Sequence, residues 1–381
     1  MSENQLQLHQ DLHQLNDELL WKIFVKAQPK VVARCRLLST SWDYKLKSTS
    51  FLKEHYDESR SKTRSLIIGL GYPPTDRVSN HFIRLFLGST QQVNFVLPRP
   101  NWFNENCVVI GSDHGVVCFR FTAGDPNSRI LIWNPLTLKE RVLPDDSPRH
   151  CCLSMSIFGF GYMKDSQKYC IVHVFKCQYK EEKMRWTLFQ AWDRSWNYDG
   201  TIDSGIVKLG NKPIVQDGRV HWLGWEANPD VVPSHIAVFD LERRMWHEAR
   251  IPEDAKTTYH SLTEFNNGVG FVSYQNSHMK RTVQVWQIKE DGSEGLLWEK
   301  MIRVSGLGIP HNPTLFSGND IISVLDCSGG SVAANDTHRT DLWVTRLKHK
   351  KKTVEWLLHN TWQEDISLTT ITMHSESLFK V

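Results

Sequence analysis

The sequence predicts an α+β multidomain chain, in which a small N-terminal all-α helix cluster is followed by a large all-β domain that reads as a six-bladed β-propeller. Three observations lead there. Apolar residues recur with a helical period only near the start of the chain. Beyond Arg64 that period gives way to alternating strand-like runs broken by Gly, Pro, Asn and Asp. One aromatic residue then recurs at nearly regular steps through the β-rich part.

From Asn16 to Ala27 the apolar positions Leu19, Leu20, Ile23, Phe24 and Ala27 fall on one helical face. Asn16 or Asp17 serves as the N-cap, and Gln28-Pro29 stops the helix. A second helix is expected over Val31–Leu38, a third over Ser41–Leu46, and a short fourth turn from Thr49 or Ser50 through His55. Helices this short are unstable alone in water, so they must pack on one another and on a partner. That is the outline of a docking module.

In the β-rich part the recurring aromatics are Phe86, Trp133, Trp192, Phe239, Trp286 and Trp343, separated by 47, 59, 47, 47 and 57 residues. Six units of about fifty residues match the size of a four-stranded propeller blade of the kelch kind. Turns and second strands follow most anchors, as in Trp133-Asn134-Pro135 to Leu143-Pro144, Phe239-Asp240-Leu241 to Trp246, and Trp286 through Asp291-Gly292 to Trp298. The competing architecture is a pair of β-sandwiches with accidental spacing.

Composition narrows the function classes. The 381 residues are 40% hydrophobic and 23% charged, ordinary globular values that leave room for a large core. Residues Met1 to His13 lack the basic-then-apolar pattern of a secretory signal, and no apolar run is long enough to cross a bilayer. The eight cysteines are scattered without a CxxC pair, as in a protein of the cytoplasm, the nucleus or both, with buried reduced thiols. No metal or cofactor site is expected. The net charge of +3 is too small to imply nucleic acid.

Specific residues in the N-terminal part carry a family resemblance. Leu15-Asn16-Asp17-Glu18-Leu19-Leu20, Ile23-Phe24, Pro29, Val31-Val32, Arg34-Cys35-Arg36, Ser41-Trp42 and Phe51 followed by His55 together resemble the F-box of plant F-box proteins. That family usually begins with Leu-Pro where this chain has Leu15-Asn16, so a weaker preorganisation of the helix entry is expected, with an Asn cap in place of the fixed proline. The resemblance continues through Gly111-Ser112-Asp113-His114-Gly115, Trp133-Asn134-Pro135, Phe158-Gly159-Phe160-Gly161-Tyr162, Asp217-Gly218-Arg219-Val220-His221-Trp222 and Ile236 to Leu241, which are similar to the F-box-associated interaction domain. Met163 and Cys170 depart from the usual residues at strand or turn positions. The implied boundaries are an F-box over 12–56, a linker over 57–65, the F-box-associated β domain over 66–362 and a C-terminal tail over 363–381.

The resemblance implies a substrate-receptor subunit of a cullin-based SCF-type ubiquitin ligase. A Skp-family adaptor, and through it a cullin scaffold, would bind the F-box, and the β domain would capture an unknown protein substrate. By pattern, Leu15, Leu19, Leu20, Ile23, Phe24, Pro29, Val32 and Trp42 form the F-box core and docking face. Lys22 to Arg64 holds eleven basic residues against four acids, which suits docking on an acidic adaptor; neither nucleic acid nor membrane is an expected partner.

No catalytic residues are assigned. The chain has no GxSxG elbow, Walker loop or HExxH, and Gly69-Leu70-Gly71 runs into Tyr72-Pro73-Pro74, which cannot open a phosphate-binding helix. Turn chemistry accounts for Asp203-Ser204-Gly205, and a satisfied strand-end histidine for His114. The run Lys348 to Lys352 reads as a solvated hairpin tip. The alternative function is a carbohydrate- or small-ligand-binding propeller without a ligase role, with Trp192, Trp196 and Trp225 as candidate stacking residues.

Overall fold

The computed structural model describes residues 16–60, 64–71, 81–86, 95–96, 107–121, 129–144, 153–177, 183–190, 195–226, 232–256, 259–265, 268–277, 280–291, 295–305, 313–317, 320–326, 340–348, 351–360, 367–375 and 379. Four helices come first. Helix α1 (Asp17–Lys26) is capped by Asn16, whose Oδ1 accepts from Glu18 N at 2.9 Å, and Asp17, Glu18 and Lys26 complement its dipole. The departure from Leu-Pro therefore supplies a working cap.

Pro29 does more than stop α1. It occupies the first turn of α2 (Pro29–Cys35), where its missing N–H costs no hydrogen bond, so that helix begins two residues before the expected Val31 and ends in the turn 36–38. Ser39 caps α3 (Thr40–Leu46), and Ser48 caps α4 (Thr49–Ser59) by accepting from Phe51 N. The fourth helix is longer than the short turn expected to His55. Its last turn has Tyr56 and Ser59 buried, and the four extra residues 56–59 are held by tertiary packing that local sequence does not encode. Residues 57–59, read as linker, thus belong to α4, and Arg64 and Ser65 open the first strand.

Among the described residues the rest of the chain forms six antiparallel sheets. The first holds β1 (Arg64–Gly71), β2 (His81–Phe86) and β3 (Phe95–Val96). The second holds β4 (Cys107–Asp113), β5 (Val116–Phe121), β6 (Arg129–Asn134) and β7 (Lys139–Pro144). The third comprises β8 (Leu153–Met163), β9 (Lys168–Cys177), β10 (Met184–Gln190) and β11 (Ser195–Ile202). In the fourth, β12 (Lys208–Leu209) and β13 (Ile214–Gln216) share one edge of β14 (Arg219–Trp225), followed by β15 (His235–Asp240) and β16 (Met245–Arg250). The fifth contains β17 (Tyr259–Phe265), β18 (Gly268–Ser277), β19 (Lys280–Asp291) and β20 (Gly295–Ser305). The sixth contains β21 (Pro313–Ser317), β22 (Asp320–Asp326), β23 (Thr340–Lys348) and β24 (Lys351–Asn360).

The segment 363–381, read from sequence as a tail, carries β25 (Ser367–Ser375), which pairs antiparallel with β1 from Arg64↔Ser375 to Gly71↔Ser367. The last strand of the chain therefore joins the first sheet. Its composition, Ser-Leu-Thr-Thr-Ile-Thr-Met-His-Ser, is polar enough to pass for a tail, and its partner strand lies at the other end of the sequence.

Five of the six aromatic anchors fall on the third strand of their sheets: Phe86 on β2, Trp133 on β6, Phe239 on β15, Trp286 on β19 and Trp343 on β23. Trp192 lies outside the described residues; β10, the third strand of the third sheet, carries Trp186. His114-Gly115 and Asp217-Gly218 make the β4–β5 and β13–β14 turns with positive φ at both residues, the pairing that a tight hairpin of right-handed twist requires. After β6 and β15 the turns are built alike. Asn134 Oδ1 accepts from Leu136 N and Thr137 N, and Asp240 Oδ1 accepts from Glu242 N and Arg243 N.

Apolar clusters lie between successive sheets. Phe158, Phe160 and Tyr162 of β8 face Ile110, Val116 and Ile132 of the second sheet. The alternate residues Gly159 and Gly161 face the fourth sheet, where a Cβ on Gly159 would stand 2.5 Å from Val220 and 2.9 Å from the Trp222 ring. This two-residue alternation explains the motif Phe-Gly-Phe-Gly-Tyr: aromatics fill one interface and glycines admit the neighbouring sheet at the other.

Candidate functional site

The helical unit has a core of Val25, Val32, Leu46 and Phe51, with Trp21, Phe24 and Trp42 packed around it. Phe24 meets Trp42 edge-on at 5.1 Å, and Trp21 meets Phe51 likewise at 5.1 Å. Trp21 Nε1 donates to Glu54 Oε2 at 2.8 Å, tying α1 to α4. His55 Nε2 donates to the carbonyl of Ala27 at 3.0 Å, and burial holds its pKa below the usual histidine value.

Other apolar side chains of the same unit point outward. Leu19 is 48% exposed and Ile23 47%, one helical turn apart on α1, whereas Leu20 between them is 5% exposed. Val31 of α2, Leu37 and Leu38 of the following turn and Tyr44 of α3 are exposed as well. Exposed apolar residues thus lie on three successive elements of a small unit. Around them Lys22 pairs with Glu18 at 2.7 Å, Arg36 with Asp43 at 2.9 Å, Lys45 with Asp17 and Lys47 with Asp43. The hydrogen bond with Lys22 lowers the Glu18 pKa, and those from Lys47 and Arg36 lower that of Asp43. Four basic residues of the charge-rich stretch are thus engaged by carboxylates of their own unit.

The eight F-box residues expected from sequence divide accordingly. Leu20, Pro29 and Val32 are interior, Phe24 and Trp42 are half-buried against each other, Leu19 and Ile23 face out, and Leu15 lies outside the described residues. Val31, Leu37, Leu38 and Tyr44 extend the outward set. The adjacent leucines 37 and 38, just past the last turn of α2, were the readable sign of it.

The two described stacking candidates, Trp196 and Trp225, have different ring neighbours. Trp196 of β11 packs into the interior against Phe189 at 5.3 Å, His173 at 6.0 Å and Phe158 at 6.4 Å. Trp225, on β14, meets His260 edge-on at 5.9 Å, and the Lys208 ammonium stands 5.5 Å from its ring centre. Trp192 is outside the described residues. At the other features weighed from sequence, Ser204 Oγ accepts from Ile206 N and Asp203 pairs with Lys183 at 2.6 Å, which is turn chemistry.

The end of α4 meets the β domain. Tyr56 stacks on His114 with ring centres 4.4 Å apart, and Leu136 of the β6–β7 turn packs against the helical core. The helical unit is thus seated on the β4–β5 and β6–β7 turns, a contact absent from the sequence reading because residues 57–65 passed for linker.

Four short helices, three of them with side-chain caps, thus carry an outward apolar surface next to six antiparallel sheets among the described residues. Residues 115–328, more than half of the chain, match the model of the F-box associated beta propeller domain, and the chain belongs to that family. An F-box/kelch-repeat protein of Arabidopsis thaliana is 23% identical over 312 residues, covering 77% of this chain and 80% of that protein. An F-box protein of the same plant is 21% identical over 261 residues, covering 65% of this chain and 68% of its own length. The solved structure of YjhT superposes with a TM-score of 0.43 at 12% identity, covering 76% of this chain and 97% of that one. Among the described residues no helix is long and apolar enough to cross a membrane.

Proposed function

We propose that this chain is the target-receiving subunit of a cullin-based SCF-type ubiquitin ligase. The F-box helices dock a Skp-family adaptor and through it a cullin, and the β domain, a closed six-bladed kelch-like propeller, captures a protein target in the cytoplasm, the nucleus or both. The chain contributes proximity and no chemistry of its own: holding the acceptor lysine near a charged ubiquitin raises its effective concentration. Leu19 and Ile23 are the centre of the docking face, with Leu20, Phe24, Pro29, Val32 and Trp42 beneath as its support, and Leu15, outside the described residues, is assigned to the same face by its sequence pattern.

One observation carries this reading: Leu19 and Ile23 turn to solvent from a helix whose Leu20 and Val25 are buried. Family membership and the Arabidopsis relatives named as F-box proteins support it. The test is co-purification of the full chain with a Skp-family adaptor and a cullin, compared with a Leu19→Asp, Ile23→Asp double variant. Wild type is expected to retain both partners. The double variant is expected to lose them with an unchanged unfolding profile, because two carboxylates would have to be buried unpaired. Equal retention by the two proteins would refute the docking face.

A further inference from the structure

We infer that Tyr56, His114, Tyr162 and Phe379 form a fixed aromatic joint that seats the helical unit rigidly on one end of the β domain, with Phe379 as its pin. The four rings come from α4, the β4–β5 turn, the end of β8 and a point just beyond β25. All are buried, none more than 8% exposed. His114 lies 4.4 Å from both Tyr56 and Tyr162, and Phe379 stands edge-on to His114 at 5.4 Å, to Tyr162 at 5.0 Å and to Tyr56 at 6.0 Å. Each ring touches the other three or lies one ring away, so removing one loosens all.

The polar atoms of the joint are met inside it. Asp113 accepts from His114 Nδ1 and from Tyr162 N, both at 2.8 Å, and Tyr169 donates its hydroxyl to His114 O at 3.1 Å. Asn134 donates Nδ2 to the Phe379 carbonyl at 2.9 Å, joining residues 245 positions apart. Burial, then the nearby carboxylates of Asp113 and Glu264, push the Tyr56 hydroxyl well above the usual tyrosine pKa, while Arg60 opposes them; Arg60 also acts on Asp217. Asp113, Asp217 and Glu264 stand at or beside the ends of β4, β13 and β17, strands that adjoin one another. The end of α4 therefore sits over several sheets at once.

A rigid joint fixes the direction in which the helical unit presents its outer face. It also covers that end of the sheets with the chain's own groups, which leaves the opposite end for a target. This consequence rests on the proposed receptor function; the joint itself does not.

Arg60, Lys62 and Arg64 flank the passage from α4 to β1, so limited trypsin digestion of the full chain reads the joint directly, with neither adaptor nor ubiquitin present. Failure here would leave the receptor reading standing, and the reverse holds. His114 has φ 45°, and Asn tolerates that conformation, so His114→Asn removes the ring without straining the turn. Cleavage between 60 and 64 is expected to quicken about tenfold in Phe379→Ala and in His114→Asn, with the β domain still resistant, and to quicken less in Tyr56→Phe, which keeps the ring and loses only the hydroxyl bonded to the His114 backbone. Wild-type rates in both ring-removing variants would overturn the joint. Should those variants lose the β domain as well, amide exchange of the wild type decides. Protection of residues 52–59 matching that of 116–121 supports the joint, and exchange as fast as in 17–26 overturns it.

Discussion

Replacing Leu19 and Ile23 by alanine, and separately Leu20 by alanine, asks two different questions of one helix. Leu20 is 5% exposed, and Leu→Ala at a buried site costs about 2–5 kcal/mol; in a unit whose core is four residues and a ring of aromatics, about 2–3 kcal/mol is expected. Leu19 and Ile23 are about half exposed, and full burial of such a side chain contributes about 2 kcal/mol, so covering the open half on a partner is worth about 1 kcal/mol each. Together that is about 2 kcal/mol, or roughly 30-fold in Kd. Urea unfolding followed by far-UV dichroism and calorimetric titration of a Skp-family adaptor separate the effects. Leu19→Ala, Ile23→Ala should weaken binding with little change in the unfolding midpoint, whereas Leu20→Ala should lower the midpoint. If both variants lost stability and affinity in parallel, the opposite orientations of neighbouring leucines would be refuted.

Three further predictions concern the β domain. Gly159→Ala should destabilise by about 1–3 kcal/mol through overlap with Val220 and Trp222, while Gly111→Ala, whose nearest neighbour would be 3.5 Å away, should cost less; denaturant midpoints compare them. Asn134→Ala removes one donor and one twice-used acceptor at a fully buried site and should cost about 3 kcal/mol, whereas Asn134→Asp keeps the turn acceptor and should fall between it and wild type. His221 is buried, and desolvation lowers its pKa from 6.5 to about 4. The native ring stays neutral while the unfolded chain takes up a proton, so stability is full above pH 6.5 and declines as pH falls towards 4, by on the order of 3 kcal/mol. His221→Gln should show a shallower decline over that window in thermal unfolding.

Much of the fold was legible because its signals are local. The N-cap at Asn16, the α1 segment and the turn after Trp133 each depend on residues a few positions apart, while the aromatic anchors announce themselves by near-regular recurrence. What escaped depends on distant partners. The strand Ser367–Ser375 is polar and becomes a strand because β1 offers it an edge. The last turn of α4 is held by His114 and Phe379, far along the chain, so Tyr56 looked like the end of a module when it is the contact between two. In α1 the run of apolar residues was readable, but its division between interior and surface was not. Leu19 and Leu20 are chemically identical, and only the packing of α1 on α4 decides which is buried.

In the proposed function the helical unit is covered by an adaptor. Titrating a purified Skp-family adaptor into the purified full chain tests it most directly. A saturable one-to-one complex is expected, lost in Leu19→Asp, Ile23→Asp while the helices remain folded by far-UV dichroism. Absence of any complex with the wild-type chain, its helices folded, or equal binding by the double variant, would contradict it.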